Sequence, residues 1–263
     1  MTILDRIIAN KKIELSIKMN LFPVNFLEKS LIFDKPTKSL VKILKSSNSG
    51  IIAEHKRRSP SKQNINNSLS VVDVVKGYGS SGACGISILT DMKYFGGSIE
   101  DLILARASSK LPLLRKDFII NEYQIIEAKA YGADVILLIS SVLSQNQIRN
   151  LSLFAKSLNL EVLVEVHDFS ELNKSVMPSI DILGVNNRNL KTFEVNLDNS
   201  RKLAEKIPDE FLKISESGIN NPKSIKDLKK HGYKGFLVGE NFMKTNNPGE
   251  TAFKFIKKIE DEI

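Results

Sequence analysis

From residue 50 onward the chain is built of eight short apolar runs, each followed by a longer mixed stretch with helical period. The runs cover 51–54, 85–89, 112–114, 135–139, 162–166, 182–185, 212–214 and 235–238, punctuated by Gly, Pro or Asp. Their starts fall roughly 20 to 35 residues apart, the room that a strand, a crossover helix and two loops need. Eight such units over about 210 residues predict an α/β chain closed into a (β/α)8 TIM barrel, an architecture that takes about 250 residues. An open doubly wound sheet is the alternative. It is disfavoured because the first run leads into Glu54-His55-Lys56-Arg57-Arg58-Ser59-Pro60, not into a glycine-rich dinucleotide turn.

Ahead of the barrel, Ile3, Leu4, Ile7, Ile8, Ile13 and Ile17 recur at helical spacing, and residues 40–44 suggest a further helix after Pro23 and Pro36. Residues 1–48 therefore read as an N-terminal helical extension packed on a catalytic barrel of residues 49–263, one domain overall. Asp5 and Glu14 interrupt the basic face of the first helix, which argues against a membrane surface. No run of about eighteen apolar residues offers a span. Lys and Arg total 38 against 30 Asp and Glu, a formal net charge of +8. These charges are scattered and not interleaved with aromatics, so they fit an anionic small molecule better than a nucleic-acid groove. A lone Cys84 permits no intrachain disulfide, so a reducing cytoplasm is the expected compartment. With the last unit closing near residue 263, no fused second enzyme is expected.

Barrel active sites lie where the strands end, and the ends here are polar. Alternation along a strand puts Glu54 with Lys56 on one face, and Leu114, Lys116 and Phe118 on another. The fifth run ends at Glu165-Val166-His167, the sixth at Asn186-Asn187-Arg188 and the seventh at Ser215-Glu216-Ser217-Gly218. Three Glu, two Lys, one Arg and one Asn would thus converge on one mouth, where burial and mutual fields push pKa values apart and suit them to acid–base work. Ser217-Gly218 and Gly239-Glu240 follow the last two runs, where barrels often hold a phosphate on backbone N–H groups. His55 alternates outward, Cys84 reads as a packing residue, and Ser217 lacks a His partner. No cluster has metal spacing, so no metal is expected.

The segments Ile52-Ala53-Glu54-His55-Lys56-Arg57-Arg58-Ser59-Pro60-Ser61, Pro112-Leu113-Leu114-Arg115-Lys116-Asp117-Phe118, Leu163-Val164-Glu165-Val166-His167, Gly184-Val185-Asn186-Asn187-Arg188 and Ser215-Glu216-Ser217-Gly218-Ile219 carry a family resemblance. So do Leu89-Thr90-Asp91 and Tyr94-Phe95-Gly96-Gly97-Ser98. Together they resemble the indole-3-glycerol phosphate synthases over essentially the whole chain. The resemblance implies closure of 1-(2-carboxyphenylamino)-1-deoxyribulose 5-phosphate to indole-3-glycerol phosphate, with loss of carbon dioxide and water and no cofactor. It implies Lys116 as the acid for closure, and Lys56 as the group that binds carboxylate or phosphate and protonates the departing hydroxyl. Glu54 would be a proton acceptor or relay, and Glu165 would stabilise cationic intermediates or move a proton. Asn186, Arg188 and Glu216 would orient substrate and lysines, and Ser59 would contact substrate. Phe95, Phe118 and Leu137 would wall the anthranilate ring, while Ser217, Gly218, Gly239 and the Glu240 backbone, with Lys56, would cradle phosphate. Gln63 in place of Gly, and Asn189 in place of Asp, depart from the family pattern. A monomer is expected, with a dimer as the alternative. Rival readings are a phosphoribosylanthranilate isomerase, an aldolase using Lys116 as a Schiff-base nucleophile, and a basic RNA-binding barrel.

Overall fold

The computed structural model describes residues 2–190 and 192–262. All eight apolar runs are strands: β1 (Ile51–His55), β2 (Gly85–Leu89), β3 (Leu113–Lys116), β4 (Val135–Ile139), β5 (Glu161–Val166), β6 (Ile182–Asn186), β7 (Leu212–Glu216) and β8 (Gly235–Val238). Each pairs in parallel with the next, and β1 pairs with β8 to close a (β/α)8 barrel. Parallel strands covered on both faces need apolar side chains on both, which is why the runs are continuous and not alternating. One face, including Ala53, Ile86, Ile136 and Val164, packs under the surrounding helices. The other, including Ile52, Leu114, Leu137, Leu163 and Ile214, fills the barrel.

Three helices precede β1: α1 (Ile3–Leu21), α2 (Val24–Leu27) and α3 (Leu40–Ser46). Helix α3 sits against the strand starts. A Cβ on Gly85 would lie 2.7 Å from Leu40 Cδ1, and one on Gly235 would lie 3.2 Å from Leu44 Cδ1. Glu161 at the start of β5 accepts from the Leu40 and Val41 amides at 2.8 and 3.1 Å, so a carboxylate fills the positive N-terminus of α3.

The expected apolar stripe of α1 requires correction. Ile13 and Ile17 are 62% and 54% exposed, and the fully buried positions are Ile7, Lys11 and Leu15. Lys11 Nζ lies 3.2 Å from Asp91 and 3.0 Å from Asp117, both buried. Pairing with these carboxylates turns a charged residue inward and rolls Ile13 and Ile17 out. Helix α2, absent from the sequence expectation, places Leu27 with Tyr123, Ile126 and Ala130. Among the described residues, no helix is long and apolar enough to cross a membrane.

Candidate active site

The strand period positions the polar residues. Along β1, β3, β5 and β7 the inward row runs Ile52 then Glu54, Leu114 then Lys116, Leu163 then Glu165, and Ile214 then Glu216. Each row changes from apolar to ionisable at its last inward position, so the charges form one layer above the barrel core. Asn186 closes the row of β6, whose preceding inward residue is Gly184. A Cβ there would lie 2.5 Å from Glu216 Oε1, so the glycine makes room for that carboxylate. Gly239 does the same for Glu54, since its Cβ would lie 2.5 Å from Glu54 Oε1.

Above this layer opens a cavity of about 660 Å³. Its wall includes Glu54, Lys56, Ser59, Phe95, Lys116, Phe118, Leu137, Glu165, Asn186 and Arg188, together with Glu216, Ser217, Gly218, Gly239 and Glu240. Every candidate catalytic, substrate-binding and phosphate-binding residue read from the sequence therefore lines this one cavity. On its floor, Lys116 Nζ donates to Glu165 Oε2 and Glu216 Oε2, both at 2.7 Å. Asn186 Nδ2 donates to Glu165 Oε1 at 3.0 Å, and the Arg188 amide donates to Asn186 Oδ1 at 2.9 Å. Lys56 Nζ donates to Glu54 Oε1 at 2.7 Å.

Burial alone would discharge Lys116, but Glu165, Glu216 and Glu54 outweigh it and hold the ammonium above its ordinary range. Burial would likewise raise Glu165, yet Lys116, His167 and the Asn186 amide hold it well below the usual carboxylate range. Glu216 goes the other way. Burial, reinforced by Glu165 and Glu54, outweighs Lys116 and pushes it up to about 7. Its Oε1 is buried with no hydrogen-bond partner, which removes one means of stabilising the anion.

One wall is aromatic, with the Phe95 and Phe118 rings 5.9 Å apart. Across the mouth, Ser217 and Gly218 both take left-handed backbone, at φ 67° and 76°. That conformation is strained for Ser217 and forms a turn whose amides can face an anion. Gly239 precedes the short helix Glu240–Met243. The Glu240 carboxylate meets Lys62 Nζ at 2.9 Å. Ser59 lies in a tight turn closed by mutual backbone hydrogen bonds with Lys62, at 2.8 and 3.0 Å. Gln63 is exposed beside that turn. Asn189 Oδ1 accepts from the Thr192 amide at 3.2 Å, shaping the loop after β6.

Sequence reasoning missed Ile3, Leu4 and Ile7 of α1, which also line the cavity, and Phe193 and Val195 of the loop after β6. Nothing local marks a helix residue as a cavity wall. Among the described residues, no three His, Cys, Asp or Glu form a group that could hold a metal ion.

Comparison with known proteins gives a consistent picture. A family model described as indole-3-glycerol phosphate synthase matches residues 4–255. A protein of that name from Bacteroides thetaiotaomicron is 45% identical over 258 residues, covering 98% of this chain and 99% of its own. Another, from Campylobacter fetus subsp. fetus, is 42% identical over 262 residues, covering 99% and 100%. A solved 3-hexulose-6-phosphate synthase from Salmonella typhimurium superposes with a TM-score of 0.62 at 13% identity, over 81% of this chain and all of its own, a likeness of fold alone.

Proposed function

The chain belongs to the indole-3-glycerol phosphate synthase family, and from that premise we propose how its cavity closes the indole ring. The protein is a carboxy-lyase of tryptophan biosynthesis that acts on a small phosphorylated substrate. The observation that carries the assignment of roles is the Glu165–Lys116–Glu216 bridge on the cavity floor, with both contacts at 2.7 Å.

In the proposed reaction, the anthranilate carbon that carries the carboxylate attacks the ketone carbon of the sugar chain. The carbonyl π pair moves to oxygen, and Lys116 protonates it. An alkoxide is more basic than an amine, so an ammonium whose pKa is raised remains a competent donor. The carbon–carbon bond to the carboxylate then breaks, and its electron pair restores the aromatic ring as carbon dioxide leaves. Loss of the hydroxyl as water takes a second proton, assigned to Lys56, while the neighbouring methylene gives one proton to Glu165 or Glu54. Two protons enter and one returns, so each turnover takes up one from solvent.

The Phe95–Phe118 wall with Leu137 suits the anthranilate ring, and its apolar contact expels water from around the lysines. Asn186 and Arg188 orient the carboxylate and hydroxyls, Glu216 orients Lys116, and Ser59 adds a contact at the rim. The Ser217-Gly218 turn, the Gly239 and Glu240 amides and Lys56 hold the phosphate. The aldolase alternative is unfavourable here, because an ammonium ion-paired to two carboxylates has no lone pair for a Schiff base. The reading includes a monomer in the cytoplasm, with residues 1–48 and 49–263 acting as one domain. Ile3, Leu4 and Ile7 of α1 share the cavity wall with barrel residues, which supports the single domain, and the one cysteine is free and buried.

The test is direct: purified protein with the carboxyphenylamino-deoxyribulose phosphate, followed by indole fluorescence and product mass. Saturable turnover is expected. Folded protein that binds this compound without converting it would overturn the assignment of roles.

A further inference from the structure

Two residues beyond Glu165, His167 stands outside the cavity wall. Its Nε2 lies 3.5 Å from Glu165 Oε1, buried and without a hydrogen bond. Its Nδ1 lies 3.1 Å from Glu171 Oε2, and the same oxygen accepts the His167 amide at 2.8 Å. Glu171 is held in turn by the first turn of the helix Phe169–Ser175, where its amide donates to the N-cap Asp168 at 2.8 Å. The ring is therefore fixed with one nitrogen on Glu171 and the other turned to Glu165.

Glu171, His167, Glu165, Lys116 and Glu216 form a line in which the sign of charge alternates when His167 is protonated. Without that charge, Glu165 and Glu216 share Lys116 as their one ion-pair partner. We propose that His167, braced by Glu171, is a positioning residue for the ring closure: as an imidazolium behind Glu165 it supplies that carboxylate with a second cation beside Lys116 and keeps it ionised and oriented toward Lys116. The proposal rests on the ring-closure reading and assigns His167 a role exerted through Glu165, not on the substrate.

The groups around the ring agree in sign. Glu165 on β5, Glu171 on the helix Phe169–Ser175 and Glu216 on β7 each favour the imidazolium. Burial opposes them, and the carboxylates prevail, raising His167 above its ordinary value. Lys116 on β3 lies beyond Glu165, Asn186 on β6 is uncharged, and Asp168 is exposed. Glu165 and Glu216, which share Lys116, titrate as a pair. Removing a cation from behind them moves their upper step, near pH 7 through Glu216, to higher pH.

The chain holds only three histidines, so the His167 ring resonances can be identified by their loss in His167→Asn. Proton–carbon NMR of the full-length protein should give a His167 midpoint above 6.5 that falls by about half a unit or more in Glu171→Gln and in Glu165→Gln. In turnover assays, His167→Asn should move the low-pH limb of kcat upward by about one unit, which is about tenfold lower kcat at pH 6 and less than about twofold at pH 8.5. A midpoint unmoved in both Glu variants would overturn the proposal. So would a kcat reduced by the same factor at every pH, the signature of a ring that only fills space. Absence of wild-type turnover beside a shifted His167 titration would instead count against the ring-closure reading, leaving the His167–Glu165 pairing intact.

Discussion

At the scale of single residues, Lys116 is the position on which chemistry and electrostatics both depend. Lys116→Ala should lower kcat by about 10² to 10⁴, the usual worth of a positioned proton donor, while circular dichroism shows a folded barrel. It should also leave Glu165 and Glu216 facing one another without their cation. Two such carboxylates favour sharing a proton, so their folded-state pKa values rise above the unfolded ones. The variant must then lose stability relative to wild type as pH rises through those values, and denaturant midpoints at pH 6 and pH 8.5 would measure it. Glu54, Lys116, Glu165, Asn186 and Glu216 were legible in the sequence because a two-residue period and a strand end specify where each side chain goes. His167 was not. Its neighbour Glu171 is a residue of the following helix, and only the β5 turn brings the two together.

At the scale of elements, α1 is attached by charge as much as by apolar contact. Lys11 is 1% exposed and pairs with Glu14, Asp91 and Asp117, and Arg115 joins Asp117 to Glu127 at 3.1 and 2.6 Å. Lys11→Met would leave buried Asp91 without its cation and Asp117 with Arg115 alone, at a cost of about 3–5 kcal/mol near neutral pH, read from chemical denaturation. Burial would raise Asp117, but Lys11 and Arg115 hold it well below the ordinary carboxylate range. Its stabilising contribution is therefore present above that range and is lost as pH falls, so the gap between wild type and Lys11→Met should narrow toward acid. Periodicity correctly located the helix in 3–17 and misjudged its inward face at Ile13 and Ile17. Hydrophobic spacing assumes that burial selects apolar residues, and here two buried aspartates on other segments selected a lysine.

At the scale of the whole molecule, a net charge of +8 surrounds a cavity floored by Lys56 and Lys116. A substrate carrying carboxylate and phosphate should be drawn to it, so raising salt from about 0.05 to 0.5 M should raise KM severalfold and change kcat by less than about twofold. Sedimentation of the purified protein should give one species of 29.4 kDa. A single thermal transition followed by both near- and far-UV signals would match one cooperative unit containing α1 to α3. By itself the sequence determined the number of βα units, the parallel barrel and the identity of the ionisable layer, because strand period and unit spacing are local properties of the chain. Tertiary structure alone decided that α1 contributes Ile3, Leu4 and Ile7 to the cavity, and that Gly184 and Gly239 make room for Glu216 and Glu54. These depend on approaches between segments far apart in the chain, where packing and paired charge, not local pattern, set which atoms meet.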